Sequence, residues 1–208
     1  MQRSRFLGAL SWISRSRGFR FPYFLRGLAT LALAGVFFSR SSMEGQHSKP
    51  TEYEVKATYL YNFSKFVEWP ETVTQAQSDS FAICVIGHDP FGPALNAIVE
   101  SETIAGKRVV ARQIPVSQDA ASCRVLFISS SEDKQLKEVL ASLGATSVLT
   151  VSDLPRFTQR GGMVQFVLEG NRIRFEVNAT AVERAGLALS SELLKVAVNV
   201  RRSDQRGD

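Results

Sequence analysis

Few residues in this chain are equipped for chemistry. Of its 208 residues, two are histidine and two are cysteine. His47 sits in a polar stretch, and His88 sits in the turn Gly87-His88-Asp89-Pro90-Phe91-Gly92. Nucleophilic catalysis needs a base beside the nucleophile and an acid that orients the base. His88 is the sole plausible base, and Asp89 next to it reads as a turn residue, so no enzyme is expected. No Gly-Lys-Ser/Thr follows Gly87 and Gly92, which excludes a phosphate-cradling loop of the Walker type. Gly161-Gly162 precedes a strand-like run rather than a helix, the wrong order for a dinucleotide fingerprint. That pair reads as backbone freedom for a tight turn. Cys84, His88 and Cys123 supply at most three zinc ligands, and no acidic cluster has ligand spacing, so neither metal nor cofactor is expected.

Binding residues are easier to nominate. Arg172 and Arg174 alternate with Ile173 and Phe175, which puts both guanidinium groups on one strand face. They read either as part of a pocket for an anionic or aromatic ligand, or as a solvated face paired with Glu169 or Glu176. In the aromatic segment 59–69, Tyr61 and Trp69 fall off the main apolar stripe and are candidates for a partner surface. Phe63 and Phe66 read as core, where large rings dominate packing. Cys84 lies within an apolar strand-like run and Cys123 just before another. As neighbours in a parallel sheet they could form a disulfide, which an exported chain's oxidising surroundings permit. The alternative is two reduced thiols acting as small apolar fillers.

These residues must be positioned by a globular body. The composition, 44% hydrophobic and 22% charged, is too apolar for a disordered chain. The length suits one domain with an appendage. Of the 25 Lys/Arg and 20 Asp/Glu, eight bases and one acid fall in residues 1–50, a net of +7 that leaves the remainder at −2. The body therefore lacks the clustered bases of a duplex-binding surface, and no nucleic-acid partner is expected.

Six arginines in the first 26 residues lead into the uncharged apolar run 27–38. That order is the pattern of a secretory signal, and the run is shorter than the ~20 residues of a membrane-spanning helix. The expected organisation is a signal peptide at 1–39, a polar linker at 40–51, one domain at 52–202 and a disordered tail at 203–208. After processing the chain does not span a membrane. The bland alternative for the N-terminus is a disordered or membrane-surface arm.

Residues 53–69 carry Val55, Tyr59, Leu60, Phe63, Phe66 and Val67 at helical steps, with Thr51 and Glu54 forming a capping box and Pro70 stopping the helix. Six strand-like runs follow at 81–87, 108–114, 124–129, 147–151, 163–168 and 172–178. Short helices are expected at 91–100, 132–143 and 153–160. Gly170-Asn171 between the last two strands signals a hairpin, and Ser190 or Ser191 caps a terminal helix through Val200. The expected fold is a single α/β domain. Its mixed, mostly parallel six-stranded sheet is flanked by helices and ends in a C-terminal β-hairpin and a terminal helix.

The order and spacing of several segments resemble the YfiR-like family. They are Glu54-Val55-Lys56-Ala57 through Tyr61-Asn62-Phe63-Ser64-Lys65-Phe66-Val67-Glu68-Trp69-Pro70, then Cys84 to Gly92, and Cys123-Arg124-Val125-Leu126-Phe127-Ile128-Ser129. Leu149-Thr150-Val151-Ser152-Asp153, Gly161 to Phe166, Asn171 to Asn178, and Ser190-Ser191-Glu192-Leu193-Leu194 complete the match, which covers about residues 52–202. The resemblance implies a periplasmic, non-catalytic regulator. Such a protein binds the periplasmic domain of an inner-membrane diguanylate cyclase and represses it, lowering cyclic di-GMP and biofilm formation. It also implies a homodimer, and a disulfide between Cys84 and Cys123. Some members carry a further cysteine pair around the Gly-Gly turn; here that turn has none. A periplasmic small-molecule-binding sensor, with Arg172 and Arg174 in its pocket, is the alternative role.

Overall fold

The computed structural model describes residues 49–70, 80–115, 117–144 and 146–202. The expected signal peptide, nearly all of the linker and the 203–208 tail lie outside those residues.

The first helix, α1 (Glu52–Phe66), starts where the sequence places it. Thr51 Oγ1 accepts from the Glu54 backbone N–H at 3.3 Å, and the Glu54 carboxylate accepts from the Thr51 N–H at 2.6 Å, closing the capping box. The buried face differs from the expected stripe. Lys56, Ala57, Leu60, Tyr61, Phe63 and Ser64 face inward, a face rotated roughly a quarter turn from the expected stripe of Val55, Tyr59, Leu60, Phe63, Phe66 and Val67 at about 3.6 residues per turn. Phe66, expected in the core, is 40% exposed. Lys56 lies on this inward face, where it meets a partner described below.

After the two-residue strand β1 (Val67–Glu68) come β2 (Ser80–Ile86), helix α2 (Pro93–Val99), β3 (Thr103–Ile104) and β4 (Lys107–Ile114). A 3-10 helix (Ser117–Ser122) leads into β5 (Val125–Ile128), and helix α3 (Leu136–Leu143) into β6 (Leu149–Ser152). Then follow β7 (Val164–Glu169), β8 (Arg172–Asn178), helix α4 (Ala179–Arg184), β9 (Ala188–Leu189), helix α5 (Ser191–Val196) and β10 (Asn199–Arg201). The main sheet has eight strands in the order β10-β8-β7-β6-β5-β2-β4-β3, and β1 pairs with β9 in a separate ribbon. Strands β4, β2, β5, β6 and β7 run parallel; β8 is antiparallel to β7, and β3 to β4.

The six expected strands are all present, and the count is corrected to eight by the two edges, β3 and β10. Two- and three-residue strands are too short to leave an alternation in sequence. β10 also shortens the terminal helix, which stops at Val196 rather than running to Val200. Ala197 is extended, the Val198 N–H donates to Phe175 O at 2.9 Å, and the chain then pairs parallel with β8. Covering the exposed edge of the hairpin satisfies backbone groups that a longer helix would leave open. The hairpin itself is as expected, with Gly170 and Asn171 both at positive φ (54° and 63°), the requirement of a two-residue primed turn.

The sheet separates two cores. Phe81, Ile83 and Val85 of β2 pack beneath α1 with Phe63, Phe127, Phe166 and Phe175. Ala82, Cys84 and Ile86 of the same strand pack on the other side with Leu126, Ile128, Leu136, Val139 and Phe157. Burial on both faces explains why β2 and β5 read as continuous apolar runs. The helix expected at 153–160 is instead a turn carrying one short 3-10 helix (Thr158–Arg160), with Arg156 at φ 59°. This arrangement drives Phe157 fully into the second core.

Gly161 (φ 103°) supplies the backbone freedom expected there, whereas Gly162 has a different task. A Cβ on Gly162 would lie only 2.1 Å from Phe157 Cε1, far inside contact distance. Gly162→Ala is therefore expected to cost about 1–3 kcal/mol through overpacking, read as a lowered urea midpoint with an unchanged slope. Stability equal to the parent would show that the Phe157 ring relocates freely.

Candidate functional site

The two cysteines are joined. Parallel pairing of β2 with β5 brings Cys84 within reach of Cys123, two residues before β5, with a Cα–Cα distance of 5.9 Å. Both cysteines are fully buried, and the bond ties β2 to the segment that enters β5.

On the opposite face a charged cluster fastens α1 to the C-terminal end of β6. Lys56 is only 3% exposed; its Nζ lies 2.7 Å from Asp153 Oδ2 and 2.5 Å from Glu52 Oε1. The Tyr53 hydroxyl donates to the same Asp153 oxygen at 3.0 Å, and the Lys56 ammonium sits 4.4 Å above the Tyr53 ring. Burial pushes the Lys56 ammonium down, but hydrogen bonds to Asp153 and Glu52 outweigh it, and its pKa is raised overall. The Tyr53 phenol is raised too, by burial first and then by the Asp153 charge. Sequence reading missed this cluster, because Lys56 and Asp153 are 97 residues apart. The sole local hint was Glu52 four residues before Lys56.

The nominated partner rings separate. Tyr61 is 7% exposed, its hydroxyl donates to the Glu102 carboxylate, and Lys65 lies 4.0 Å over its face. The rotated helix face has drawn it into packing, so it is not a surface ring. Trp69 remains half-buried beside β1, edge-on to Phe81 with centroids 5.2 Å apart. Its indole N–H is buried without an acceptor among the described residues. Trp69 forms one wall of a 320 Å³ cavity at the N-terminal ends of β2, β4 and β5, lined also by Lys65, Phe81, Ile104, Lys107 and Arg124. Burial lowers the Arg124 pKa.

Arg172 and Arg174 do share a face of β8, away from the α1 core. Arg172 is exposed opposite Glu169, and Arg174 reaches the Val196 carbonyl at 3.4 Å. The second cavity, a 560 Å³ apolar groove, lies elsewhere, between α1 and α2, along Val55, Tyr59, Ala94, Ala97 and Ile98. His88 is exposed; its backbone N–H donates to Ser131 Oγ at 2.9 Å, and Asp89 accepts from the Phe91 N–H at 2.8 Å, as a turn residue does. Among the described residues no group of three or more His, Cys, Asp or Glu could hold a metal ion, and no helix is long and apolar enough to cross a membrane.

A largely parallel sheet with helices on both faces, a buried disulfide and open cavities defines a stapled α/β domain of the kind that hosts binding sites. The chain belongs to the YfiR/HmsC-like family, whose sequence model matches residues 53–198. The chain is also similar to solved structures at low identity. A conserved domain protein from Vibrio cholerae O1 biovar eltor is 12% identical over 63% of this chain and 58% of that one, with a TM-score of 0.45. An ABC domain in complex with L-Trp from Streptococcus pneumonia is likewise 12% identical, over 63% and 58%, with a TM-score of 0.44. The chain thus matches less than two thirds of the length of either structure.

Proposed function

We propose that this chain is an exported periplasmic regulator that binds the periplasmic domain of an inner-membrane diguanylate cyclase and represses it, without turning over a substrate of its own. Membership of the YfiR/HmsC-like family across residues 53–198 is the observation that carries this reading. A buried disulfide is compatible with an oxidising compartment. In this reading residues 1–39 direct export, 40–51 form a linker, 52–202 are the binding domain, and the working unit is a homodimer.

The docking surface combines the apolar groove between α1 and α2 with exposed Phe66 at the end of α1 and the free edge of Trp69. Apolar centres with aromatic anchors are where interfaces concentrate their affinity. Arg172 and Arg174 act here as a solvated face of the hairpin rather than as ligand contacts.

Deleting the coding sequence is expected to raise cyclic di-GMP and surface attachment. Complementation should restore both, and Phe66→Asp should complement poorly while folding normally. Nucleotide levels that do not change between deletion and complemented strains would sink the regulator reading.

A further inference from the structure

One edge of the main sheet is only partly closed. On its inner side β4 pairs with β2 from Arg108 to Ile114, without a bulge. On its outer side β3 pairs only with Lys107 and Arg108, and the Val109 N–H donates to Glu102 O at 2.9 Å. The backbone groups of successive residues in a strand point to alternate sides. Val109 points outward, so Ala111 and Gln113 point outward as well. Among the described residues nothing pairs with the N–H or C=O of either, and no strand lies beyond β3. Natural sheets shorten, bulge or cover such an edge, because a bare row of backbone groups is a template for another strand. This stretch is straight, and its outward backbone row is left open.

We infer that residues 110–114 of β4 are a strand-addition site, and that the occupant is an extended segment of another protein carrying an acidic side chain opposite Arg112. Backbone pairing supplies the affinity in this mode of recognition, and alternate side chains supply the selectivity. Val110, Arg112 and Ile114 share one face of the strand, so the matching segment alternates apolar, acidic and apolar residues. Arg112 is exposed and gives one guanidinium donor to the neutral Ser80 Oγ at 3.2 Å. β4 holds Lys107, Arg108 and Arg112 and no acid, so a second copy of it brings like charge and no counter-charge. Like charges placed opposite each other destabilise strand pairs. The inference stands on the sheet edge alone and holds whether or not the chain represses a cyclase.

Amide exchange and peptide titration of the isotope-labelled protein, followed by NMR, test it. In the free protein the amides of Ala111 and Gln113 should exchange fast, while those of Val110 and Arg112, which face β2, should be protected. The peptide acetyl-TVTETVT-amide should shift and protect the Ala111 and Gln113 amides saturably. Replacing its glutamate by lysine should weaken binding roughly fivefold, and methylating its backbone nitrogens on the pairing side should abolish binding. Ala111→Pro should fold like the parent, since an edge strand tolerates proline where the N–H faces solvent, and should lose the peptide. Val110→Pro, one position earlier, should instead lower the melting temperature by removing a ladder bond. Slow exchange at Ala111 and Gln113 in the dilute free protein, no saturable shift there, or binding unmoved by peptide N-methylation would each overturn the site. Protection of those two amides that appears on concentrating the protein alone would assign the edge to a second copy and overturn the inferred occupant. Equal affinity for the lysine peptide would overturn the acidic preference.

Discussion

Replacing Cys84 and Cys123 together by alanine is expected to lower the unfolding free energy by about 4 kcal/mol. The bridge closes a loop with a sequence separation of 39, and in the chain-entropy model a loop of that length restricts the unfolded ensemble by this amount. The loop contains α2, β3, β4 and the 3-10 helix, so two of the eight strands of the sheet are assembled within it. For a domain of this size the change corresponds to a fall in melting temperature of roughly 10 °C. Reductant should lower the parent protein's midpoint by a similar amount and leave the double variant where it is. Because both cysteines are fully buried, reduction should be slow under native conditions and fast once the chain opens. A double variant within 1 kcal/mol of the parent would show that the paired strands hold their register without the bridge.

Asp153→Ala should be the second most damaging change, at about 3 kcal/mol. Removing one member of a buried ion pair leaves the other charge uncompensated, which typically costs more than the pair itself contributes. Here Lys56 would keep only Glu52, whose side chain is half exposed, and the Tyr53 hydroxyl would lose its acceptor. The pH dependence follows from the directions of the shifts. Lys56 has its folded pKa raised above the unfolded 10.5, and Tyr53 above 10.0. Both folded groups hold their protons longer than the unfolded ones. Their contribution is therefore complete below pH 10 and is lost as pH climbs through the folded values. Urea titrations between pH 8 and 11 should show declining stability in the parent. In Asp153→Ala the decline should flatten, because burial then acts on Lys56 with only Glu52 opposing it. A parallel decline in both proteins would place the alkaline loss elsewhere.

The structure also divides what was legible from what was not. The hairpin at Gly170-Asn171, the capping box at Thr51 and Glu54, and the doubly buried strands β2 and β5 were all readable. Each depends on residues within a few positions of one another. Short-range signals fail where the deciding partner is distant. Phe66 sits on the expected apolar stripe, yet it faces outward, while Lys56 faces inward to Asp153, 97 residues away. The same rotated face buries Tyr61 against Glu102 and removes it from the list of surface rings. Asn199 and Val200 read as helix, yet they lie in a strand that pairs with the edge of β8.

By itself, then, the sequence determined the family, the α/β class, the six principal strands and the scarcity of reactive side chains. These are properties of composition and local period, which no distant contact can alter. Tertiary structure alone decided which face of α1 points inward and how the sheet ends. Those outcomes hang on electrostatic and backbone pairings between segments far apart along the chain, and such pairings leave no periodic trace in either partner.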